Sequence, residues 1–367
     1  MENVEKHITF TVTNDLTHDQ RMIRICSSLA EYGYQITLIG RQTKKSAILS
    51  KKTFAQKRIR CFFNSGFLFY AEYNIRLFFV LLCTRTDIYG AIDLDTIAPN
   101  CLVAIIKSRP FVFDAHEFFT EVPEVTHRKM VKFIWNIIGK CCIPQAERCY
   151  TVSKSLAEQL SVQYKTPFEV VRNMPSQKAN ITKSLNEKIL VYQGDLNIGR
   201  GLELYIESIQ FIDAKLVIIG DGPLYTKLNA LAQKLNVSDK VIFTGYKDAD
   251  SMHEITANAS IGLNLLQADG LSYYYSLSNK FFNYIQAGIP QLCSQFPEYK
   301  ILNNTYHVAK LISYDTAAIV NACNDWFADN EDYNKTVLHC HQAASVLNWE
   351  SEKQILISLY NEAIAYR

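Results

Sequence analysis

The sequence predicts an α/β protein made of two Rossmann-like domains, each built on a parallel sheet. The chain of 367 residues is too long for one ordinary domain of this class and suits two. Short apolar runs alternate with helical patterns along its whole length, as in successive β-α-β units. Its composition, 48% hydrophobic and 20% charged, is ordinary for a globular protein and argues against disorder.

The predicted strands fall into two series, separated by a polar segment. Residues 1–172 hold the first series: Ile8–Thr13, Gln35–Ile39, Ile88–Ile92, Phe111–Phe113, Cys149–Val152 and Glu169–Arg172. Residues 188–345 hold the second: Ile189–Tyr192, Leu216–Ile219, Val241–Phe243, Ile261–Leu265 and Gln291–Cys293. The segment 173–187 has a proline and no clear period, which predicts a linker. Residues 346–367 form a final helix that either covers the first domain or caps its own.

The charge is unevenly distributed, although the net charge of the chain is only +2. Residues 1–175 contain 23 Lys and Arg against 16 Asp and Glu, a net +7. The remainder contains 15 against 20, a net −5. A basic half joined to an acidic half suggests domains with different partners. These values predict no broad basic face, which argues against nucleic acid as a partner.

The ten cysteines are expected to be reduced and mostly packed in the core, which indicates the cytoplasm. Their spacing is irregular, and the cluster His339–His341 lacks a second ligand pair at zinc spacing. No signal peptide is expected before the first strand-like run. The most apolar window, Ile75–Cys83, is shorter than the roughly 20 residues of a membrane span.

Three glycine-bearing turns follow strands of the second series. Leu216–Pro223 runs from an apolar strand into a Gly-Asp-Gly-Pro turn, whose proline suits the first position of a helix. Gly194–Gly201 contains Arg200, which can grip a phosphate through two parallel hydrogen bonds. Leu277–Pro290 opens a helix with Lys280 in its first turn, where the helix dipole disfavours a cation unless an anion is bound.

Each turn alone is weak evidence, because tight turns without a ligand and solvated surface lysines are both common. The carboxyl ends of parallel strands lie at one edge of a sheet, however, and open α/β sheets bind ligands in the crevice there. Glycine lets backbone amides approach a ligand closely, and a helix N-terminus favours an anion. The three turns together therefore predict an anion site in the second domain.

In order and spacing, these motifs resemble glycosyltransferase family 4, whose members have the GT-B fold. In the second half the resemblance rests on the segments Gly194–Gly201, Gly220–Pro223, Phe243–Tyr246 and Lys280–Pro290. In the first half it is looser and rests on Asp19–Arg21, Asp114–Glu117 and Arg172–Asn173. The closing segment, Asn348–Tyr360, resembles the last helix of that family, which crosses back to the first domain. The resemblance implies two Rossmann-like domains that face each other across a cleft.

For the second domain, the resemblance implies a donor site for a UDP- or GDP-sugar. Arg200 and Lys280 would hold the diphosphate, assisted by amides near Ser278 and Asn279 at the start of a helix. The other implied donor-side residues belong to the same motifs: Gly194, Gly220, Gly222, Gly245, Tyr246 and Asn283. Cations and helix N-termini can stabilise the departing diphosphate, so neither a metal nor another cofactor is expected.

For the first domain, the resemblance implies catalytic and acceptor-side residues. His116 and Glu117 are the predicted catalytic residues, and His116 would face the sugar and the acceptor. Asp19, Arg21 and Glu121 are predicted on the acceptor side. The residue types alone leave two interpretations of the His-Glu pair open: an acid–base pair, or a turn whose histidine is satisfied internally.

Two features depart from the pattern of the family. Members commonly carry a Glu-x7-Glu pair near the donor sugar and its ribose, and Tyr275 and Asn283 stand at those positions here. Asp195 also stands where many members have arginine after the first glycine. The departures leave the identity of the donor open.

Two segments of the first domain have competing interpretations. Asp93-Leu94-Asp95 matches a DxD metal motif, but a helix N-cap around Asp95 is favoured. Basic residues are concentrated in Lys44–Arg60, and aromatic residues follow at once. Lys44–Tyr73 therefore suits either an anionic membrane surface or lipid-linked acceptor, or a solvated loop followed by a core helix.

The predicted function is transfer of a hexosyl unit from a nucleotide sugar to a glycan or lipid-linked glycan, in polysaccharide biosynthesis. Retention of configuration is implied by the resemblance alone. The predicted location is the cytoplasm, with the inner face of the cytoplasmic membrane as a peripheral site. Two alternatives stay open: a GT-B sugar-nucleotide epimerase, and a non-catalytic sugar-nucleotide-binding subunit.

Overall fold

The computed structural model describes residues 6–17, 19–178 and 187–365, which form two α/β units. The first unit comprises Met1–Asn173 together with Glu352–Arg367, and the second comprises Met174–Ser351. Each contains one parallel sheet, so the predicted fold class of two parallel-sheet α/β domains is confirmed. Residues 179–186, within the linker predicted at 173–187, lie outside the described residues.

A seven-stranded parallel sheet forms the centre of the first unit, in the order β3-β2-β1-β4-β5-β6-β7. Its strands are β1 (His7–Thr11), β2 (Gln35–Gln42), β3 (Ala55–Arg60), β4 (Ile88–Ile92), β5 (Phe111–Ala115), β6 (Arg148–Thr151) and β7 (Glu169–Val170). Its helices are α1 (Gln20–Tyr32), α2 (Gly66–Cys83), α3 (Leu94–Lys107), α4 (Pro123–Thr126), α5 (Lys129–Cys142) and α6 (Lys154–Tyr164).

The helices of the first unit lie on both faces of its sheet. The connection through α1 leads from β1 towards the β3 edge of the sheet. The connections through α2, α3 and α5, which join β3 to β4, β4 to β5 and β5 to β6, lead towards the β7 edge. Because parallel crossovers are right-handed, α2, α3 and α5 share the face opposite α1. Their packing includes an edge-on contact between Tyr70 of α2 and Trp135 of α5, with ring centroids 5.5 Å apart.

By length and composition alone, α2 could cross a membrane, since its 18 residues have a mean hydropathy of 1.4. Only 22% of this segment is buried. Its buried side chains nevertheless recur every four residues, so they lie on one side of the helix and pack into the unit: Phe69, Tyr73, Leu77 and Leu81. The hydroxyl of Tyr73 also donates to the carbonyl of Val12 at 2.5 Å. The apolar segment is thus longer than the predicted window Ile75–Cys83. One side of the helix packs into the α/β unit, and the rest of its surface is exposed or half-buried.

A six-stranded parallel sheet forms the centre of the second unit, in the order β10-β9-β8-β11-β12-β13. Its strands are β8 (Ile189–Gln193), β9 (Lys215–Ile219), β10 (Val241–Gly245), β11 (Ile261–Asn264), β12 (Gln291–Ser294) and β13 (Ala309–Ile312). Its helices are α7 (Leu202–Ser208), α8 (Tyr225–Lys234), α9 (Ala249–Ala257), α10 (Leu271–Tyr274), α11 (Asn279–Gln286), α12 (Pro297–Tyr306), α13 (Thr316–Ala328) and α14 (Asn330–Ala344).

The core of the second unit lies on both faces of its sheet. Side chains alternate along a strand, and in β8 Leu190 and Tyr192 join one buried apolar cluster while Val191 joins another. Both faces are therefore covered, as is usual for a parallel sheet.

The last helix, α15 (Trp349–Ala365), belongs to the first unit from Glu352 onward. Tyr360 is buried there, and its ring meets that of Phe10 edge-on with centroids 5.6 Å apart. Tyr34 donates a hydrogen bond from its hydroxyl to Asn361 at 2.6 Å. Apolar packing and polar contacts thus both attach this helix to the first unit.

Three local predictions differ from the structure. The sequence patterns did not predict β3 and β13, because edge strands are half exposed and lack a continuous apolar run. Residues 55–60, interpreted as part of a basic loop, form β3. The placement of Pro223 at the first helical position is wrong, because α8 begins at Tyr225.

Candidate active site

Three of the predicted glycines lie at the carboxyl ends of neighbouring strands in the second unit. Gly194 follows β8, Gly220 follows β9, and Gly245 ends β10. The amide of Gly220 donates to the carbonyl of Gly245 at 3.0 Å, and the amide of Gly194 donates to that of Ile219 at 2.9 Å. The strand ends therefore continue into turns that are bonded to each other.

The turns approach so closely that only glycine fits at two positions. A Cβ atom on Gly220 would lie 2.0 Å from the carbonyl oxygen of Gly194, and φ of Gly220 is +139°. A Cβ atom on Gly222 would lie 2.6 Å from the carbonyl oxygen of Leu196. Real Cβ atoms do not approach backbone oxygens to such distances, so these glycines allow the turns to pack backbone against backbone.

Arg200 and Lys280 meet beside Gly194. A Cβ atom on Gly194 would lie 3.8 Å from Nη1 of Arg200 and 3.9 Å from Nζ of Lys280. The two cationic groups therefore border the same small volume, which a side chain at position 194 would enter. Because α11 begins at Asn279, Lys280 lies in the first turn of that helix, as the sequence predicted.

Lys280 is an unusually buried cation, with 6% of its surface exposed. Its Nζ atom lies 4.8 Å from the centre of the Tyr192 ring. Burial, followed by repulsion from Arg200, lowers the pKa of Lys280 to about 7. A lysine held in these surroundings is costly unless an anion joins it.

Within the described part of the chain, neither Arg200 nor Lys280 forms an ion pair with a carboxylate. The Nε atom of Arg200 is buried and has no hydrogen-bond partner there. Asp195 is near enough to oppose the lowering of the pKa of Lys280, but one carboxylate beside two cations leaves this position with a net positive charge. The arrangement can bind a group with at least two negative charges, such as a diphosphate.

The start of α11 also favours an anion. Ser278 occupies the N-cap position, but its hydroxyl donates to Oδ1 of Asn264 at 2.8 Å and no side chain caps the helix. The amide of Ser278 donates to the hydroxyl of Tyr299 at 3.2 Å. The positive end of the helix dipole is therefore not neutralised by a side-chain cap.

The remaining donor-side predictions lie at the end of β10, on α11 and at the end of α10. Tyr246 follows β10 and is 75% exposed, and Gly245 has a φ of +69°. Asn283 is half-buried in the second turn of α11. Tyr275 is half-buried at the end of α10, where its ring contacts that of Tyr274. Their predicted roles remain predictions.

The first unit holds a second polar cluster, centred on His116. The Nε2 atom of His116 lies 3.0 Å from Oδ2 of Asp114, and its Nδ1 atom lies 3.7 Å from Oδ2 of Asp93. The backbone amide of His116 donates to Oδ1 of Asp93 at 2.8 Å. Arg21 donates to both carboxylate oxygens of Asp114, at 3.0 and 3.2 Å.

The protonation of this cluster follows from burial and charge. Burial disfavours the imidazolium, but the carboxylates of Asp114 and Asp93 outweigh it and raise the pKa of His116. Burial also opposes ionisation of Asp114, yet Arg21 and His116 lower its pKa. Burial raises the pKa of Asp93 to about 8 although His116 opposes this. These shifts favour the carboxylate form of Asp114 and the imidazolium form of His116, whereas burial favours the neutral form of Asp93.

Asp93 and Asp114 were not among the predicted site residues. Each lies at the carboxyl end of a strand, and the amide of Asp93 donates to the carbonyl of Asp114 at 2.9 Å. Asp93 has a φ of +55°, a conformation that is strained for a residue other than glycine and is often found at functional sites. Acidic residues at the ends of two buried strands were the available signal.

The helix N-cap predicted around Asp95 is corrected by the structure. The N-cap position of α3 is Asp93, and its side chain does not bond to the helix. Asp95 lies in the first turn, is buried, and accepts a hydrogen bond from Thr13. Burial raises the pKa of Asp95 to about 7.

The other residues predicted in the first unit have structural partners. Asp19 caps α1 by accepting from the amide of Met22 at 3.0 Å. Arg21 is buried and forms an ion pair with Asp114, which it holds in place. Glu121 pairs with Lys132 at 2.6 Å, and the side chain of Glu117 is exposed.

Across the described ranges, no group of three or more His, Cys, Asp and Glu side chains is arranged to hold a metal ion. All ten cysteines are free thiols, and six of them are buried: Cys26, Cys101, Cys149, Cys293, Cys323 and Cys340. The DxD interpretation of Asp93 and Asp95 therefore has no third ligand among the described residues.

Much of the second unit matches a known family. Residues 173–337 match the model of the family described as glycosyl transferases group 1. N-acetyl-alpha-D-glucosaminyl L-malate synthase of Bacillus anthracis is 28% identical over 109 residues, 26% of this chain and 29% of that protein. An uncharacterized glycosyltransferase of Methanocaldococcus jannaschii is 29% identical over 133 residues, 30% of this chain and 34% of that protein. The chain thus spans about a third of these curated relatives.

Comparison with solved structures extends over both units. Sucrose-phosphate synthase from Thermosynechococcus elongatus has a TM-score of 0.77 at 14% identity, covering 99% of this chain and 100% of that one. Anabaena HepE in complex with UDP-glucose has a TM-score of 0.76 at 11% identity, covering 97% and 99%. Identities this low establish the fold alone, and it is the GT-B fold that the sequence predicted.

Proposed function

We propose that this chain, which has the GT-B fold and whose residues 173–337 belong to the glycosyl transferases group 1 family, transfers a hexosyl unit from a nucleoside-diphosphate sugar. One observation carries the proposal. Arg200 and Lys280 border the same volume beside Gly194, and neither has a carboxylate partner among the described residues. A diphosphate has the charge and the size to occupy that position.

In the proposed reaction, the bond between the anomeric carbon and the diphosphate breaks, and negative charge accumulates on the leaving group. Arg200, Lys280 and the first amides of α11 stabilise that charge. Preorganised donors of this kind account for a large share of rate enhancement in many enzymes, and they do not require a metal ion.

His116 is the proposed catalytic group of the first unit. Asp114 and Asp93 raise the pKa of His116, which favours the imidazolium. Asp114 holds the Nε2 atom at 3.0 Å, whereas Nδ1 lies 3.7 Å from Asp93, beyond hydrogen-bond distance, and can donate to a sugar hydroxyl. Retention of configuration and a glycan or lipid-linked glycan as acceptor are further parts of the proposal, and they rest on the resemblance to family 4.

UDP-sugars are the first donors to test, because HepE, a structural neighbour, was solved with UDP and with UDP-glucose. Tyr275 and Asn283 stand where family 4 members commonly carry glutamates, so GDP-sugars remain in the panel. Position 283 would lie near the ribose and position 275 near the sugar. The substitutions therefore bear on which donor is used.

The test measures binding first and turnover second. Isothermal titration calorimetry with UDP, GDP and their hexose conjugates should give saturable binding to the full chain. Arg200→Ala should weaken binding of the preferred nucleotide, because it removes one of the two cations. Arg109→Ala, in an exposed ion pair of the first unit, serves as the matched control. Unchanged affinity in Arg200→Ala would remove the basis of the proposal.

Turnover is then followed as release of nucleoside diphosphate, with and without a glycan-containing cell extract. Release that requires the extract and yields a labelled glycan supports a transferase. Formation of an isomerised sugar without acceptor would assign the chain as an epimerase. Tight binding without either product would assign a sugar-nucleotide-binding subunit, the outcome to which Tyr275 and Asn283 point.

A further inference from the structure

The outer surface of three neighbouring helices in the first unit is apolar. We call it the α2–α3–α5 face. Its exposed apolar side chains include Met130 and Phe67, each 72% exposed, and Ile106, 60% exposed. The full set runs over all three helices: Phe67, Leu68, Ile75, Phe79, Leu102, Ile105, Ile106, Met130, Phe133, Ile134 and Ile137. Single exposed apolar residues are ordinary, but a concentration on one face marks an interaction surface.

These residues belong to one continuous layer. The right-handed crossovers put α2, α3 and α5 on the same side of the sheet. Lys107 at the end of α3 donates to the carbonyls of Leu81 and Thr84 at the end of α2, at 3.3 and 2.9 Å. Tyr70 and Trp135 join α2 to α5. The exposed sides of the three helices therefore form adjacent parts of one surface.

The three helices of this face carry a net positive charge. The three helices contain only two carboxylates, of which Asp95 is buried and Glu72 is paired with Arg76 at 2.7 Å. Their basic residues are Arg76, Lys107, Lys129, Lys132 and Lys140. Lys132 is paired with Glu121 of the preceding segment at 2.6 Å, so among the described residues Lys129 and Lys140 are the lysines of α5 outside any ion pair. An apolar surface with a net positive charge is complementary to a layer that is apolar inside and anionic outside.

A basic cavity of about 710 Å³ borders the same helix layer. Its lining includes Lys44, Arg60 and Arg76, and Phe62 lies on its rim with 83% of its surface exposed. The Arg76 guanidinium stands 5.1 Å from the centre of the Phe62 ring. The lining contains no carboxylate, so the cavity can accept an anionic headgroup next to an apolar side chain.

We propose that the α2–α3–α5 face docks the chain on an anionic lipid bilayer, with its apolar side chains in the interface and lipid phosphates at its basic residues. This extends the region predicted from the sequence, Lys44–Tyr73, to two helices that the sequence pattern did not single out. The inference rests on the first unit alone and does not depend on the proposed glycosyl transfer.

A second copy of the chain is a less suitable occupant. In a twofold-symmetric dimer the same surface appears on both sides, so two surfaces of net positive charge would face each other. An anionic membrane supplies the missing negative charge. Charge complementarity therefore favours lipid over self-association.

Vesicle flotation tests the proposal with the full chain. Vesicles of phosphatidylcholine are compared with vesicles containing about one third phosphatidylglycerol, at low and at high salt. The chain should float with the anionic vesicles and remain below the neutral ones. Each basic residue near such a surface should contribute about fivefold in affinity, so high salt should release most of the protein.

The decisive variant places three carboxylates on the face: Phe67→Glu, Ile106→Glu and Met130→Glu. The matched control places three on exposed apolar positions of the second unit, Phe211→Glu, Leu338→Glu and Val346→Glu. All six positions are exposed, so both variants should keep the melting temperature of the parent. The first variant should lose at least tenfold in vesicle affinity, and the control should lose much less.

Three results would overturn the proposal. An equal loss of vesicle affinity in the two triple variants would show that added negative charge weakens binding wherever it is placed. Equal binding to neutral and anionic vesicles would remove the role of the basic residues. A dimer that the first variant converts to monomer, without vesicle binding by the parent, would assign the face to a second copy of the chain.

Discussion

The two polar clusters of this protein handle charge in opposite ways. In the first unit, the Asp114 carboxylate faces both Arg21 and His116, and Asp93 lies beside the same histidine, so each cation has an acidic partner. In the second unit, Arg200 and Lys280 have no carboxylate partner among the described residues. Both clusters contain charged side chains that are almost fully buried, such as Asp114 and Lys280. Only the second cluster has charge left over for a ligand.

The difference indicates how each cluster contributes to function. A matched cluster holds a proton and a ring orientation, which a catalytic histidine requires. An unmatched pair of cations costs stability in the empty protein and regains it when an anion binds. Cation removal should therefore have opposite consequences for folding in the two units.

The largest effect is expected from Arg21→Met in the first unit. This variant leaves the buried Asp114 carboxylate without its cation and should lower the free energy of unfolding by about 4 kcal/mol. Urea denaturation monitored by fluorescence measures it. Arg109→Met, which removes an exposed partner of Asp87, should cost less than about 1 kcal/mol. If both variants lowered the free energy of unfolding by a similar amount, burial of the Arg21–Asp114 ion pair would not be what makes it important for stability.

The next effect concerns the turns of the second unit. Gly220→Ala forces a Cβ atom against the carbonyl of Gly194 and should cost about 3 kcal/mol through strain and crowding. Gly245→Ala also has a positive φ but meets no atom within 4 Å, so it should cost about 1 kcal/mol. Denaturation of both variants tests whether the close contact, and not the backbone conformation, requires glycine at position 220.

Lys280→Met should separate binding from stability. Loss of this cation should weaken binding of the nucleoside diphosphate about 50-fold, equivalent to about 2.3 kcal/mol. The free energy of unfolding should not fall, because an unpaired buried charge is removed. Lys335→Met, at an exposed position of α14, should change neither quantity. Destabilisation by Lys280→Met would indicate that the lysine is paired in the empty protein.

A smaller effect is expected from pH. Because the pKa of Lys280 is about 7 in the empty site, the lysine loses its proton as pH rises, and a bound diphosphate must raise that pKa. Affinity for the nucleoside diphosphate should therefore fall about tenfold between pH 7 and pH 9, equivalent to about 1.4 kcal/mol. Calorimetry of the parent and of Lys280→Met measures this, and the variant should lack the decrease.

Stability should depend on pH through the same residue. The unfolded chain keeps Lys280 protonated up to a pH of about 10.4, whereas the folded chain releases the proton near pH 7. Between these values the unfolded state binds more protons, so this lysine makes the free energy of unfolding rise with pH. The slope of stability against pH should be smaller in Lys280→Met, and an unchanged slope would contradict the lowered pKa.

Local motifs made the second cluster predictable. The second cluster is built from short turns whose glycines and charged residues can be recognised in the sequence of each turn alone. These residues are Gly194, Arg200, Gly220 and Lys280. Parallel-sheet topology then brings those turns to one edge. The first cluster was only half visible, because Asp93 and Asp114 gain their role from pairing with each other and with Arg21, which lies far away in the chain.

The sequence by itself determined the fold class, most of the central strands and the cationic glycine turns, because apolar periodicity and turn chemistry act over a few residues. Only the tertiary structure decided that Arg21 is buried against Asp114, that β3 and β13 extend the sheets, and that α2, α3 and α5 share one apolar face. These features depend on contacts between distant segments. Such contacts decide which charges are neutralised and which apolar side chains remain exposed.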